Sequence, residues 1–130
     1  MSNPTHQDAM VYLQYLTYQA SIDYEAASDF VWSDDFPQTF EAYQSKINPG
    51  SPEQKKLALF SHVHETLGVI YKHGLIHPAL LFDREHFQTT WERIENIVHG
   101  YRHKNNRPEF MQHFEALVES ERRYREGQTA

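Results

Sequence analysis

The signals for the start and the end of a helix between Ser51 and Gly74 constrain the fold more than any other feature of this 130-residue chain. Ser51 can cap a helix, Pro52 suits its first turn, and Gln54 completes a capping box. Apolar residues then recur at helical spacing along one stripe. Gly74 supplies the left-handed residue that often follows the end of a helix. Together these signals predict a helix over residues 52–73.

Similar signals predict helices along most of the remaining chain. The predicted segments lie at about residues 6–32, 37–46, 79–82, 84–103 and from Pro108 onward. No alternating apolar and polar run predicts a strand. We therefore expect an all-α fold, an irregular bundle of four main helices plus one or two short helices. It forms a single domain over residues 1–130 with frayed ends at 1–5 and 127–130, and Gly68 allows two helices to approach closely.

Composition excludes several classes of protein. The chain has no cysteine, which excludes a disulfide framework, zinc–thiolate sites and iron–sulfur clusters. Its 18 acidic residues outnumber its 12 Lys and Arg residues, which argues against binding to nucleic acid. Neither a signal peptide nor a run of about 20 apolar residues is present. We therefore expect a cytoplasmic protein with no membrane and no nucleic-acid partner.

The first 45 residues differ in charge from the rest of the chain. They hold seven of the 18 acidic residues, no Lys or Arg, and nine of the 18 aromatic residues. Aromatic side chains provide interface area at low entropic cost, and a field of one sign steers partners. This pattern predicts an interaction face that comprises Tyr12, Tyr15, Asp29, Trp32, Asp34 and Asp35. The alternative is a solvated surface whose acids pair with Arg122, Arg123 and Arg125.

Histidines and a carboxylate give a candidate metal site. Glu95, His99 and His103 follow one face of the predicted 84–103 helix at intervals of four residues. Side chains at that spacing can share a metal ion. Two helical turns spread these three groups too far for one ion, so we expect an exposed polar face and no bound metal.

His64 lies in the apolar stripe of the 52–73 helix and has two interpretations. It is a core histidine with a satisfied ring nitrogen, or it lines a pocket between that helix and the 84–103 helix. The residues of such a pocket are His64, Glu65, Trp91 and Arg102. No glycine-rich phosphate loop and no GxSxG nucleophile motif is present. The sequence therefore names no catalytic, cofactor-binding or metal-binding residue.

Several short pieces between residues 32 and 124 match a known family. They are Glu65-Thr66-Leu67-Gly68, Gly74-Leu75-Ile76, Trp91-Glu92 with Ile94, Arg102, Pro108-Glu109-Phe110 and Phe114-Glu115-Ala116-Leu117. On these residues the chain resembles a bacterial family of small helical domains known mainly as a domain of unknown function. Members often carry an N-terminal membrane helix, whereas the first predicted helix here is rich in Tyr and Gln. The resemblance implies no reaction and carries over no catalytic residue.

Three functions are compatible with these features. The first is a non-enzymatic helical module that binds a protein partner or forms a homodimer through its first helix. The second is an enzyme that binds a small molecule or a metal in the pocket between the 52–73 and 84–103 helices. The third is an acidic inhibitor protein from a mobile element that mimics the charge of nucleic acid. The absence of recognisable catalytic motifs favours the first, without a cofactor.

Overall fold

The computed structural model describes residues 2–129, which contain seven α-helices and no β-strand. The helices are α1 His6–Ser21, α2 Tyr24–Val31, α3 Phe40–Lys46, α4 Pro52–Lys72, α5 Pro78–Phe82, α6 Phe87–Asn105 and α7 Gln112–Thr129. The predicted all-α class is therefore confirmed. The fraying predicted for Met1 and Ala130 lies outside the described residues.

The first predicted helix, residues 6–32, is two helices instead of one. α1 ends at Ser21 because Ile22 is extended, with φ −119° and ψ 168°, and α2 begins at Tyr24. The break contains neither proline nor glycine, so only the polar residues Ser21 and Asp23 indicate it. Redirecting the backbone there lets both helices bury side chains in one core.

Two further helices begin after their predicted starts. α3 begins at Phe40, capped by the hydroxyl of Thr39, instead of following Pro37 directly. α6 begins at Phe87, because Asp83 ends α5 instead of capping α6. Pro37 and Asp83 therefore lie a few residues before the helices that they were predicted to begin.

The last helix also begins late. Residues 107–111 form turns after α6, and Met111 adopts a left-handed φ of 61° although it is not a glycine. α7 therefore begins at Gln112 and not at Pro108. Because Met111 is only 2% exposed, its burial in the core compensates for a backbone conformation that is uncommon outside glycine.

α4 follows its predicted bounds to within one residue and packs against α2 and α7. Gly68 is buried where α4 meets the first turn of α7. A Cβ atom on Gly68 would lie 2.5 Å from the carbonyl carbon of His113 and 2.7 Å from the backbone nitrogen of Phe114. The predicted close approach is confirmed, since a residue without Cβ is what allows the two backbones to come so near.

Aromatic side chains provide much of the core. Phe60, Phe82 and Phe114 are among the largest side chains that are almost completely buried. The rings of Phe87 and Phe114 meet at 90° with their centres 5.9 Å apart. Such edge-to-face pairs add about 0.5–1.5 kcal/mol to the contribution of burial. A chain with only 39% apolar residues therefore obtains a closed core from relatively few side chains.

Candidate functional site

Two members of the predicted interaction face belong to the core instead. Tyr12 and Tyr15 are 7% and 4% exposed. The hydroxyl of Tyr12 donates a hydrogen bond to Glu85, and the hydroxyl of Tyr15 accepts one from Gln19. Burial is also the main cause that raises the pKa of both phenols. The face predicted from the sequence must therefore be corrected, because the rings of these two tyrosines are committed to internal packing.

The other four members of that face are exposed at the C-terminal end of α2 and in the loop after it. Asp29, Asp34 and Asp35 lie at the surface, and Trp32 is 46% exposed. Trp32 has the guanidinium of Arg93 near its ring, 5.7 Å from the ring centre. Across residues 2–129, none of the three aspartates forms a salt bridge.

The proposed pairing of these acids with the basic C-terminal segment does not occur. Arg122 pairs with Glu119 and Glu126, and Arg125 pairs with Glu121, all within α7. Arg123 also approaches Glu119. Spacings of three and four residues on one helix bring opposite charges together locally, so these arginines need no partner from the N-terminal third.

His64 lies at the centre of an aromatic cluster. Its ring centre is 4.3 Å from that of Phe60 and 5.0 Å from that of Phe114, with Tyr24 and Phe87 slightly further away. The Nδ1–H donates to the carbonyl oxygen of Phe60 at 2.8 Å. Burial lowers the pKa of His64 to about 4 although that hydrogen bond favours protonation. His64 is thus a neutral core residue and lines no cavity described below.

Glu65 connects α4 to the beginning of α7. Its carboxylate accepts hydrogen bonds from the backbone N–H groups of Phe114 at 2.8 Å and His113 at 3.4 Å. These N–H groups belong to the first turn of a helix, where no intrahelical acceptor is available. A carboxylate there is also favoured by the helix dipole. Glu65 therefore caps α7 from another helix.

Trp91 and Arg102 support the packing of α6 against α7. The guanidinium of Arg102 donates to the carbonyl oxygen of Phe110 at 2.7 Å and to Glu115 at 2.9 Å. Trp91 is 9% exposed and borders a groove between α6 and α7, where Glu115 also lies. His64, Glu65, Trp91 and Arg102 therefore do not line one pocket, which corrects the predicted set.

Glu121 is a buried charge that sequence reasoning missed. It is 1% exposed and accepts hydrogen bonds from the backbone N–H groups of Phe87 at 3.2 Å and Gln88 at 2.7 Å. Arg125 donates to the same carboxylate at 2.7 Å. The available signal was the position of Glu121 on the apolar stripe of α7, four residues after Leu117. Its role is to cap α6, whose own N-cap residue makes no side-chain hydrogen bond.

A cleft lies between α4 and α6, in the place predicted by the second hypothesis. Its volume is about 530 Å³, and of the four predicted pocket residues only Glu65 lines it. Apolar side chains from α4, α6 and the turn before α7 form most of its surface. They include Leu57, Ala58, Ile94, Ile97, Val98, Phe110 and Met111.

One polar side chain stands out within this cleft. Ser61 is 7% exposed, lines the cleft, and its hydroxyl makes no hydrogen bond to any part of residues 2–129. No fully buried side-chain nitrogen or oxygen in the same residues lacks a partner, so the hydroxyl reaches the open space of the cleft. Its unused hydrogen-bonding capacity is available to a molecule bound there.

The predicted arrangement of Glu95, His99 and His103 brings no metal site together. Among residues 2–129, no group of three or more His, Asp or Glu side chains is placed so that it could hold a metal ion. The ring of His99 instead meets the ring of Trp91 at 88°, with centres 5.8 Å apart.

Comparison with known proteins identifies a family without a described activity. Residues 4–122 match the family model described as Domain of unknown function (DUF4760). The match includes α1 and α2, which precede most of the stretch on which the sequence resemblance rested. No curated protein and no solved structure matches the chain. In residues 2–129, no helix combines the length and the apolar character needed to cross a bilayer.

Proposed function

The chain belongs to the DUF4760 family, a domain of unknown function, and from its geometry we propose that it is a binding protein for a small, largely apolar molecule. The observation that carries this proposal is the apolar cleft of about 530 Å³ between α4 and α6. Ligand sites in proteins are usually concave, measure about 300–1,000 Å³, and are lined by apolar side chains with a few polar groups. The cleft has that size and that lining.

The position of the cleft supports a binding role. Its two walls are long helices, α4 and α6, and Met111 from the turn before α7 also lines it. Helices hold side chains more rigidly than loops do, so a ligand site on them is largely preformed. The free hydroxyl of Ser61 adds the kind of single polar contact that orients an apolar ligand.

The lining does not support catalysis. Ser61, His62 and Glu65 all border the cleft, which is the set of residue types found in serine hydrolases. No hydrogen bond joins Ser61 to His62 among the described residues, and the Glu65 carboxylate is bound to the first turn of α7. Nucleophile and base therefore lack the contact that activation requires.

A neutral apolar probe tests the proposal. We expect 1-dodecanol to bind in a 1:1 ratio by isothermal titration calorimetry and to shift the methyl NMR signals of Ile94 and Ile97. Replacing the exposed Ala58 by Trp would fill the cleft and abolish binding, whereas Ala116→Trp, in the groove between α6 and α7, would leave it unchanged. Absence of binding, or binding that survives A58W, would overturn the proposal.

Self-association is a second candidate function, supported by exposed apolar side chains near the N-terminus. Of the five large hydrophobic residues exposed in residues 2–129, Met10, Leu13 and Trp32 lie in α1 or just after α2. Asp29, Asp34 and Asp35 are exposed and lie within three residues of Trp32 in the sequence, so a dimer interface would have to leave them in solvent. Light scattering across a range of protein concentrations tests the idea. A strict monomer would contradict a homodimer, and an M10S/L13S variant should dissociate one.

A further inference from the structure

We infer that the ligand of the α4–α6 cleft is an amphiphile with one carboxylate on an apolar chain. The inference rests on the proposed binding function and concerns the charge of the ligand. It follows from the groups at the mouth of the cleft, which are more basic than the acidic chain as a whole.

Two cations at the mouth have no partner within the described residues. Lys55, on the second turn of α4, and Arg107, in the turn after α6, both line the cleft and are both exposed. Neither forms a salt bridge across residues 2–129, whereas Arg102, Arg122, Arg123 and Arg125 all do. Cations placed this way are free to bind an anion.

Two carboxylates, those of Glu65 and Glu109, also line the cleft. Glu65 is engaged with the N–H groups of His113 and Phe114, and the α7 dipole offsets part of its charge. Glu109 is exposed and forms no salt bridge among the described residues. The formal charges of these four side chains cancel, but the charge of Glu65 is already partly offset at the N-terminus of α7, which leaves a small positive surplus at the cleft. Such a surplus suits a ligand with one negative charge better than a dianionic phosphate.

Hydrogen-bond donors near the mouth favour the same class of ligand. The phenols of Tyr43 and Tyr101 line the cleft from α3 and α6. Burial raises the pKa of Tyr43, although a hydrogen bond with the side chain of Gln54, which also lines the cleft, acts in the opposite direction. Together with the free hydroxyl of Ser61, these groups present O–H donors to the oxygen atoms of a carboxylate.

The remaining surface of the cleft suits a hydrocarbon chain. Beyond the mouth, its walls consist of Leu57, Ile94, Ile97 and Val98. Each CH₂ group that moves from water onto such a surface adds a favourable free energy of transfer. An apolar chain thus provides affinity while Lys55 and Arg107 determine which headgroup is preferred.

Titration calorimetry tests the inference with dodecanoate and dodecyl phosphate below their micelle concentrations and with 1-dodecanol below its solubility limit. We expect dodecanoate to bind about tenfold more tightly than 1-dodecanol at low salt, since two exposed ion pairs each contribute a few-fold. The preference should shrink in 0.5 M salt, where the Debye length is only a few ångströms. Lys55→Gln with Arg107→Gln should abolish this preference, so that dodecanoate binds no more tightly than 1-dodecanol.

The controls separate this inference from the proposed function. Lys72→Gln with Arg123→Gln makes the same change in charge at positions that do not line the cleft, so the preference for dodecanoate should persist. Equal binding of dodecanoate and 1-dodecanol would overturn the carboxylate assignment and leave the binding function intact. Tighter binding of dodecyl phosphate would likewise overturn it. Failure of every probe to bind would instead overturn the proposed function.

Discussion

Two segments of α4 meet the rest of the molecule in opposite ways. Around Gly68, α4 touches the backbone of α7 so closely that a methyl group at Gly68 would collide with it. Around Ala58, ten residues earlier, the same helix faces α6 across a cleft of about 530 Å³. We call these the closed segment and the open segment of α4.

This difference shows that small side chains alone do not bring two helices into close contact. The open segment also presents small side chains, Ala58 and Ser61, yet α6 does not pack against it. The closed segment has, in addition, the Glu65 carboxylate, which binds the first turn of α7. Where that polar connection is absent, a cleft that Met111 also lines lies between α4 and α6.

The largest effect is expected for Gly68→Ala, which places a methyl group in the closed segment. Because the atoms in its way are backbone atoms of His113 and Phe114, we expect a loss of about 3 kcal/mol in the free energy of unfolding. Urea denaturation followed by circular dichroism measures it. Gly127→Ala in α7 meets no atom within 4 Å and should stabilise the protein by about 0.5 kcal/mol. Equal results for both variants would show that α4 and α7 are not in backbone contact.

A pH effect should come from His64, beside the closed segment. Burial lowers its pKa to about 4 in the folded protein, against 6.5 in a free histidine. The unfolded chain therefore binds a proton more readily between these values, so stability is full above pH 6.5 and falls as the pH decreases. We expect a loss of about 2 kcal/mol between pH 7 and pH 5.

Comparison with His64→Leu isolates this contribution. The variant lacks the buried imidazole, so its stability should depend less on pH over the same range, whatever its absolute value. The groups around His64 are Phe60, Phe87, Phe114 and Tyr24, and the pKa of Tyr24 is raised to about 12, chiefly by burial. None of them titrates between pH 7 and pH 5. If the free energy of unfolding of the variant falls with pH as steeply as that of the unchanged protein, His64 is excluded as the source of the effect.

Glu65→Gln is expected to destabilise the protein less than Gly68→Ala. The amide can still accept a hydrogen bond from Phe114, but the interaction loses its charge and part of its favourable alignment with the α7 dipole. We expect a loss of about 1.5 kcal/mol, measured by urea denaturation. Glu109→Gln also removes a carboxylate at the cleft, but one without a hydrogen bond in the described residues, and should change stability by less than about 0.5 kcal/mol.

The smallest effect is expected in the open segment, for Ser61→Ala. Its hydroxyl has no partner among residues 2–129, so removing it should leave the thermal midpoint unchanged or slightly raised. The matched variant is Ser33→Ala, whose hydroxyl donates to the carbonyl oxygen of Phe30 at 2.7 Å and which should lose about 1 kcal/mol. A marked loss for S61A would indicate that its hydroxyl is bonded within the protein and not free for a ligand.

Helix bounds were predictable where the cap lies beside the helix in sequence. For α4, the hydroxyl of Ser51 accepts a hydrogen bond from Gln54 and Gly74 has a φ of 70°, as the local pattern predicted. The starts of α6 and α7 were predicted too early. Their first turns are capped by Glu121 and Glu65, which lie on other helices and which no rule based on neighbouring residues can identify.

Local sequence patterns predicted the candidate site only in part, for the same reason. The sequence located it between the 52–73 and 84–103 helices, because their amphipathic stripes and polar residues are visible in the chain. It did not identify the lining, because a stripe does not reveal how each helix is rotated about its axis. Rotation places His64 in the core and Ser61 at the cleft, although the two residues are only three positions apart.

The sequence by itself determined the helical class, the bounds of α4, the glycine that permits close packing and the acidic N-terminal third. These features depend on contacts within a few residues or on composition. Only the tertiary structure decided which charged side chains bond to another part of the protein and which do not. Glu65 and Glu121 bind backbone groups of other helices, and Arg102 binds one in the turn before α7. Lys55 and Arg107, by contrast, meet no counterpart among the described residues. That distinction arises from packing between distant segments, which no local pattern in the chain encodes.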